Sequence, residues 1–530
     1  MRSLLLCIFL LIGLHTWGHI GSPNVCFEGK AGPFPVRVSI RPPGVVPGLA
    51  EINVRVLSGN ARRVTALPVY WDAGREGAPP PDVAEPVRGE TNLYSTSLWL
   101  MMPGAYSVDV TIEGQQGVGT ITVPVDSVAT ARNTMQPWFT IMLAAIGTLL
   151  FLGGIKLFGA AFGEAIMEPG AEFAKRLRWR ARFAMVGGTI FWFLLLLIGK
   201  GWWDLDDRDY RNNRLYKPVP VNASVRFEQR QPIMRLMIDD WTPLIPDHGK
   251  LMHLFMVREP ELDAFAHLHP VQVQPKTFDV PLPPLPKGLY TIYADVTREN
   301  GSADTLTNSI QISEWPDSFT QFWQMKGNSD AICSSSWWLN LRTNLFLAPD
   351  PDDAWHVDRP SNDRAAASSP NGQQLSRLAN DYTMVWQKDG ELLANREASL
   401  KFKLLSREEL ASLEPYMGMF GHAVVRREDG AVFAHVHPVG TFSMASQQVF
   451  LQRESTVEGT GQSRSEKLEN ITHTIASASH TNHSGGTNTI SAVSFPYEFP
   501  RPGPYRIWVQ LKSKDRVFTG VFDTEVRSKK

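Results

Sequence analysis

From Pro137 to Gly159 the chain runs for 23 residues with Lys156 as its only charge, and from Phe183 to Gly199 it runs for 17 with none. A helix needs about twenty apolar residues to cross a bilayer, and Gly201, Trp202 and Trp203 extend the second segment into an interfacial aromatic belt. Between the two lies Lys175 to Arg182, KRLRWRAR, with five basic residues in eight. Basic flanks stay in the cytoplasm. The pattern predicts transmembrane helices over 137–159 and 183–203, joined by a basic cytoplasmic loop over 160–182. Residues 19–136 and 204–530 are then both extracytoplasmic. Neither span carries an acid, a histidine or an arginine, which argues against an ion path through the hairpin.

The first residues fit the same topology. Arg2, the apolar run Leu4 to Leu14 and the small residues up to Gly18 read as a secretory signal peptide over 1–18. Cleavage after Gly18 makes His19 the first residue, where a free amine and an imidazole chelate copper together; otherwise His19 is an ordinary leader residue. Of Cys7, Cys26 and Cys333, the first leaves with the leader, so at most one disulfide, Cys26 to Cys333, is open to the mature chain. The formal net charge of −1 gives no reason to expect nucleic acid as a partner.

Outside the membrane the sequence alternates in short strands. PVRVSI, EINVRV, TALPVYW, SLWLMM, AYSVDVTI and GTITVPV follow one another at the spacing of a β-sandwich. A motif of the form G-x-Y-x-[VI] begins a strand at Gly104, Gly288 and Gly503, which suggests three related modules. The glycine supplies a turn and the tyrosine starts a strand on the core side. The expected fold is mainly β: three immunoglobulin-like β-sandwich modules over 19–133, 217–314 and 381–530, plus the two-helix hairpin. Residues 315–380, with a PDPDD stretch, read as a linker. Residues 455–487, rich in Ser, Thr, Asn, His and Gly, read as a disordered insertion whose His473, His480 and His483 touch metal weakly at most.

The hexapeptide FAHLHP at Phe265 to Pro270 recurs as FAHVHP at Phe433 to Pro438, each preceded by a third histidine, His253 or His422. In the third module Asp429-Gly430 is a hairpin turn, and counting outward sets His422 opposite His437 and Val424 opposite His435. In the second, a turn through Pro260 sets His253 opposite His267 or His269. Residues opposite one another share a face, as do residues two apart on a strand. His253, His267 and His269 therefore form one three-histidine face, and His422, His435 and His437 another. Opposed Cβ atoms lie about 5 Å apart and diagonal ones about 7 Å, close enough for three imidazoles to converge on one ion.

Three imidazoles suit copper or zinc, whereas calcium and magnesium want oxygen. Met252 and Met256 fall on the opposite face from His253, while Met417 and Met419 are placed to swing in as soft ligands for reduced copper. No cysteine accompanies either cluster, which excludes a blue-copper centre, and no H-E-x-x-H, G-x-S-x-G or phosphate-binding glycine loop occurs. Asp239, Asp240 and Asp247 are candidate bases by sequence proximity alone. The strands are apolar on both faces, so the competing reading is of buried structural histidines bonded to backbone or to one another.

The segments DHGKLMHLFMVREPELDAFAHLHP and PYMGMFGHAVVRREDGAVFAHVHP resemble the histidine-rich β-sandwich segments of bacterial envelope proteins associated with copper. PVRVSIRPPGVVPGLAEINVRV and MMPGAYSV are similar to the immunoglobulin-like YtkA or FixH type of membrane-anchored domain. The resemblance implies a bacterial inner-membrane protein with its soluble parts on the periplasmic side. Its expected function is metal binding, with copper, or else zinc, held at His253, His267, His269, His422, His435, His437 and His19. The alternatives are an interaction or sensory scaffold that binds another envelope protein, and, ranked last, a three-histidine zinc hydrolase.

Overall fold

The structure is mainly β with two long apolar helices. The computed structural model describes residues 24–528 apart from 133, 164–169, 171–173, 218, 229–230, 240–241, 317–346, 359–366, 369–372 and 458–489. The expected signal peptide, His19, Cys333, Asp240 and nearly all of the insertion lie outside the described residues. The chain divides into a β unit, Met1–Val128 with Lys217–Lys530, and a helical unit, Ala129–Tyr216.

The helical unit is two helices, Pro137–Gly163 and Lys175–Asp209, both long and apolar enough to cross a membrane. A turn of π-helix, Tyr210–Arg214, follows the second. Small residues let the pair approach: a Cβ on Gly159 would stand 2.8 Å from Met185, and one on Gly188 2.8 Å from Phe158. The stretch from Lys175 to Arg182 is not a loop. It forms the first two turns of the second helix, because Arg and Lys are good helix formers and nothing between Ala174 and Arg182 breaks the pattern. The chain entering and leaving the hairpin is clasped, with Tyr216 N donating to Ala129 O at 2.8 Å.

Among the described residues the β unit contains six sheets of four to six strands, and three large apolar cores each draw on two of them. The first pair holds Val36, Ile52 and Leu98 of a five-stranded sheet against Val64, Val108 and Val123 of a four-stranded one. The second holds Leu236 and Phe278 against Leu254, Met256 and Ile292. The third holds Trp386 and Phe402 against Val425, Ile507 and Phe522. The three motif glycines share one device. Gly104, Gly288 and Gly503 have φ of 130°, 154° and 126°, a region that glycine enters at low cost. The tyrosine two residues on is buried and its hydroxyl bonds backbone four residues upstream: Tyr106 accepts from Met102 N, while Tyr290 and Tyr505 donate to Pro286 O and Arg501 O.

Sandwich-like layers are not strung as beads. Met419, Val439, Phe442 and Met444 of the third region complete the first core, and Glu28 N donates to Val439 O at 2.8 Å. The stretch expected as a linker supplies structure too: the strand Ala354–Val357 adds to the edge of the second region by pairing with Ala264–Leu268. The strand Gln374–Arg377 pairs with Tyr382–Gln387 of the third. Alternating apolar residues in AWHV and QLSR are too few to stand out in a polar stretch. A helix, Met444–Val457, leads into the expected insertion.

The second and third regions also pack against each other through the outer faces of their histidine-bearing sheets. Phe255, Val257, Phe265 and Tyr293 of one meet Val424, Phe433 and Trp508 of the other in a separate buried cluster. These strands are apolar on both faces because both faces are buried.

Candidate metal centre

Register delivers the histidines. In the third region Val424 pairs with His435 and Ala423 with Val436, the register expected from the turn at Asp429-Gly430. In the second, Phe255 pairs with His267 and Leu254 with Leu268, which puts His253 opposite His269. The odd-numbered parity places His253, Phe255 and Val257 on the outer face and sends Met252 and Met256 into the core.

The sequence sets the two histidine faces in separate modules, and the structure stacks them into one buried cluster. His253 and His435, from different regions, have ring centroids 5.4 Å apart; His267 and His422 are 6.1 Å apart. His253, His267 and His269 each offer a nitrogen within 4.8 Å of the others. The second group of that closeness is His422 and His437 with His248, not with His435. His435 lies among both, 4.3 Å from His437 and 5.6 Å from His267.

His248 was not singled out from sequence. It sits at the turn closed by Asp247 N and Lys250 O, with φ of 51°, and reaches within 4.8 Å of His437 between ring centroids. The signal was present in Asp247-His248-Gly249, a turn whose histidine belongs to no alternating pattern. Asp353 and Asp350 were also missed, lying in the supposed linker. They form a third ligand group with His269.

Four rings are oriented by partners. His253 Nε2 donates to Asp247 O at 3.1 Å, and His267 Nδ1 donates to Gln510 Oε1 at 2.8 Å. Gln510 Nε2 in turn lies 3.5 Å from Thr519 Oγ1. His269 Nδ1 shares a proton with Asp353 Oδ1 at 3.0 Å, and His435 Nδ1 faces Asp295 Oδ2 at 3.4 Å. Two of these partners come from the opposite region, and they are equivalent: Asp295 pairs with His253 in one sheet as Gln510 pairs with His422 in the other. Each region thus steadies a histidine of its counterpart.

A neutral imidazole carries one N–H. With that proton on His253 Nε2 and on His267 Nδ1, the facing atoms His253 Nδ1 and His267 Nε2 both present lone pairs, yet they stand 3.2 Å apart. Two nitrogens bound at about 2.0 Å to one tetrahedral ion are about 3.3 Å apart. Seven further ring nitrogens are buried without a hydrogen-bond partner: His248 Nε2, His269 Nε2, both of His422, His435 Nε2 and both of His437. Buried polar atoms are rarely left so, and a cluster of them fits a cation.

Burial holds the His267, His269, His422, His435 and His437 imidazoles well below the ordinary histidine range, and for all five the neighbouring rings add to it. His253 is lowered by burial in spite of Asp247. Neutral rings are the form that binds metal. Burial raises Asp247, but the adjacent His248 and a hydrogen bond from Ala445 N keep its carboxylate below the usual range. Burial pushes Asp295 up to about 6, and burial with Asp350 beside it pushes Asp353 well above its usual range.

Other expected participants are placed elsewhere. Met419 is part of the first core and Met417 packs with Ala354, Tyr416 and Val517. Tyr416 instead edges the His422 ring at 5.2 Å. Asp239 pairs with Lys276 at 3.8 Å, while Asp247 lies in the cluster and caps Ala445 N at 3.1 Å. Cys26 is buried, and burial pushes its thiol far up.

A family model described as a domain of unknown function (DUF8832) matches residues 377–528, most of the third region. No curated protein matches the chain. Among solved structures the chain is similar to dimeric latent PorU from Porphyromonas gingivalis, with 8% identity and a TM-score of 0.13, covering 91% of this chain but 32% of that one. It is similar also to a protein from Corynebacterium diphtheriae described as membrane anchored, with 10% identity, a TM-score of 0.14 and 95% of each chain covered. Likeness at this level carries no argument about activity.

Proposed function

We propose that this is a membrane-anchored, extracytoplasmic metal-binding protein that handles copper, with zinc as the alternative ion. The observation that carries the reading is the 3.2 Å approach of His253 Nδ1 to His267 Nε2 inside a cluster of seven histidines, seven of whose other ring nitrogens are buried without a hydrogen-bond partner. Nitrogen donors without thiolate or a water-rich oxygen set favour copper and zinc over calcium and magnesium. His253, His267 and His269 hold one ion; His422 and His437 with His248 hold the other. Two apolar helices with five basic residues at the start of the second support an anchor whose basic side faces the cytoplasm.

The full chain in detergent, titrated with Cu(I) against a chromophoric chelator and with Zn(II), tests this. Bound copper that drops when His267 and His269 are replaced by alanine, with the thermal transition retained, supports it. A folded chain with no affinity below the millimolar range overturns it. The stacked interface would then favour the second reading, a scaffold for another envelope protein with structural histidines.

A further inference from the structure

Resting on that reading, we infer that the two three-histidine sets are halves of one two-ion centre in which His435 is a ligand either ion can take. Three observations carry it. His435 belongs to neither close group, yet its ring lies 5.4 Å from His253 and 5.6 Å from His267 on one side, and 5.5 Å from His422 and 4.3 Å from His437 on the other. Its Nδ1 is turned to Asp295 Oδ2 at 3.4 Å, so Nε2 is its one nitrogen left for metal, and that atom is buried without a partner. One lone pair between two ion positions serves one ion at a time.

The sets themselves touch. His248 and His253 have centroids 6.2 Å apart, and His267 and His422 6.1 Å. Ions seated in both sets therefore feel each other directly. His435 can then move from one ion to the other as an ion enters or leaves.

Two measurements on the full chain in detergent test this. The Cu(II)-loaded protein should bind two ions and show either a half-field EPR transition or an EPR intensity well short of its copper content. Both signs should vanish when His422 and His437, or His267 and His269, become alanine. His435→Ala and His435→Gln are then placed in each of those two single-set backgrounds. A shared ligand lowers Cu(I) affinity by about tenfold in both backgrounds. An effect confined to one background, or two magnetically independent ions, overturns the inference and leaves metal binding standing. A folded chain that takes no copper overturns both.

Discussion

His267 Nδ1 lies 2.8 Å from Gln510 Oε1, although the two residues are 243 positions apart and belong to different sheets. The amide oxygen fixes the ring tautomer and turns Nε2 toward His253. Outer partners of this kind are worth 10- to 100-fold in metal affinity, roughly, when removed. Gln510→Leu keeps the volume and removes the acceptor. It should weaken binding at His253, His267 and His269 by about that factor, while binding at His422 and His437 falls less. Copper titration of the variant in the two single-set backgrounds checks this; equal losses at both sets would show Gln510 acting through the interface at large.

That interface has a reciprocal pair of stacks. Tyr293 lies on Phe433 with centroids 3.9 Å apart and 5° between planes, and Phe265 lies on Trp508 at 5.0 Å and 12°. Arg426 ties the same edge, donating to Tyr293 Oη at 3.0 Å and to Glu259. Replacing a buried aromatic by alanine costs about 3–5 kcal/mol. Phe433→Ala should cost that much and also loosen both histidine sets, since His435 is two residues along the same strand. Chemical denaturation with and without copper separates the two effects: the stabilisation by copper should shrink in the variant, not only the baseline stability.

The mainly β fold, the apolar helices and the co-facing of each histidine trio were legible because each depends on short-range rules: alternation, span length and the parity set by a turn. Val424 opposite His435 follows from counting outward from Gly430. The merging of two trios was not legible. It depends on Phe265 finding Trp508, and no local pattern specifies which outer sheet face meets which. His248 escaped because a turn histidine has no periodic neighbours. Asp353 escaped because its part of the chain carries too little apolar alternation to register as strand, and its contacts with His269 span 84 positions.

Asp353 gives a sharper test of how the site is supported. Its carboxylate accepts from His269 N at 2.8 Å and from Asp350 N at 3.1 Å, and it shares the proton of His269 Nδ1. Asparagine has one oxygen for these tasks and turns an N–H₂ toward the remaining donor. Asp353→Asn should destabilise by about 1–3 kcal/mol, the usual cost of an orphaned buried donor. It should also lower copper affinity at the first set by roughly 10-fold or more. Thermal unfolding and copper competition measure these separately; unchanged affinity would show that His269 is held by packing alone.

The metal-free protein should lose stability as pH falls below the ordinary histidine value of about 6.5. The sign follows from the direction of the shifts. His253, His267, His269, His422, His435 and His437 are all lowered in the folded state. Above pH 6.5 these rings are neutral folded or unfolded, so their contribution is fully present and flat. Below it the unfolded chain takes up protons that the folded chain refuses, and each ring costs up to about 1.4 kcal/mol per pH unit until its folded pKa is reached. Asp295, raised to about 6, works the other way: between its folded and unfolded values the folded state binds the extra proton and gains. Asp353, raised by burial, acts in the same sense. Six rings against two acids leave a net loss toward acid. Denaturation of the metal-free chain from pH 7.5 to 5.5 should show a steep fall, made shallower when His422 and His437 are both replaced by alanine. A profile that stays level through this range would mean that these imidazoles ionise in the folded state, which the buried, mutually repelling arrangement forbids.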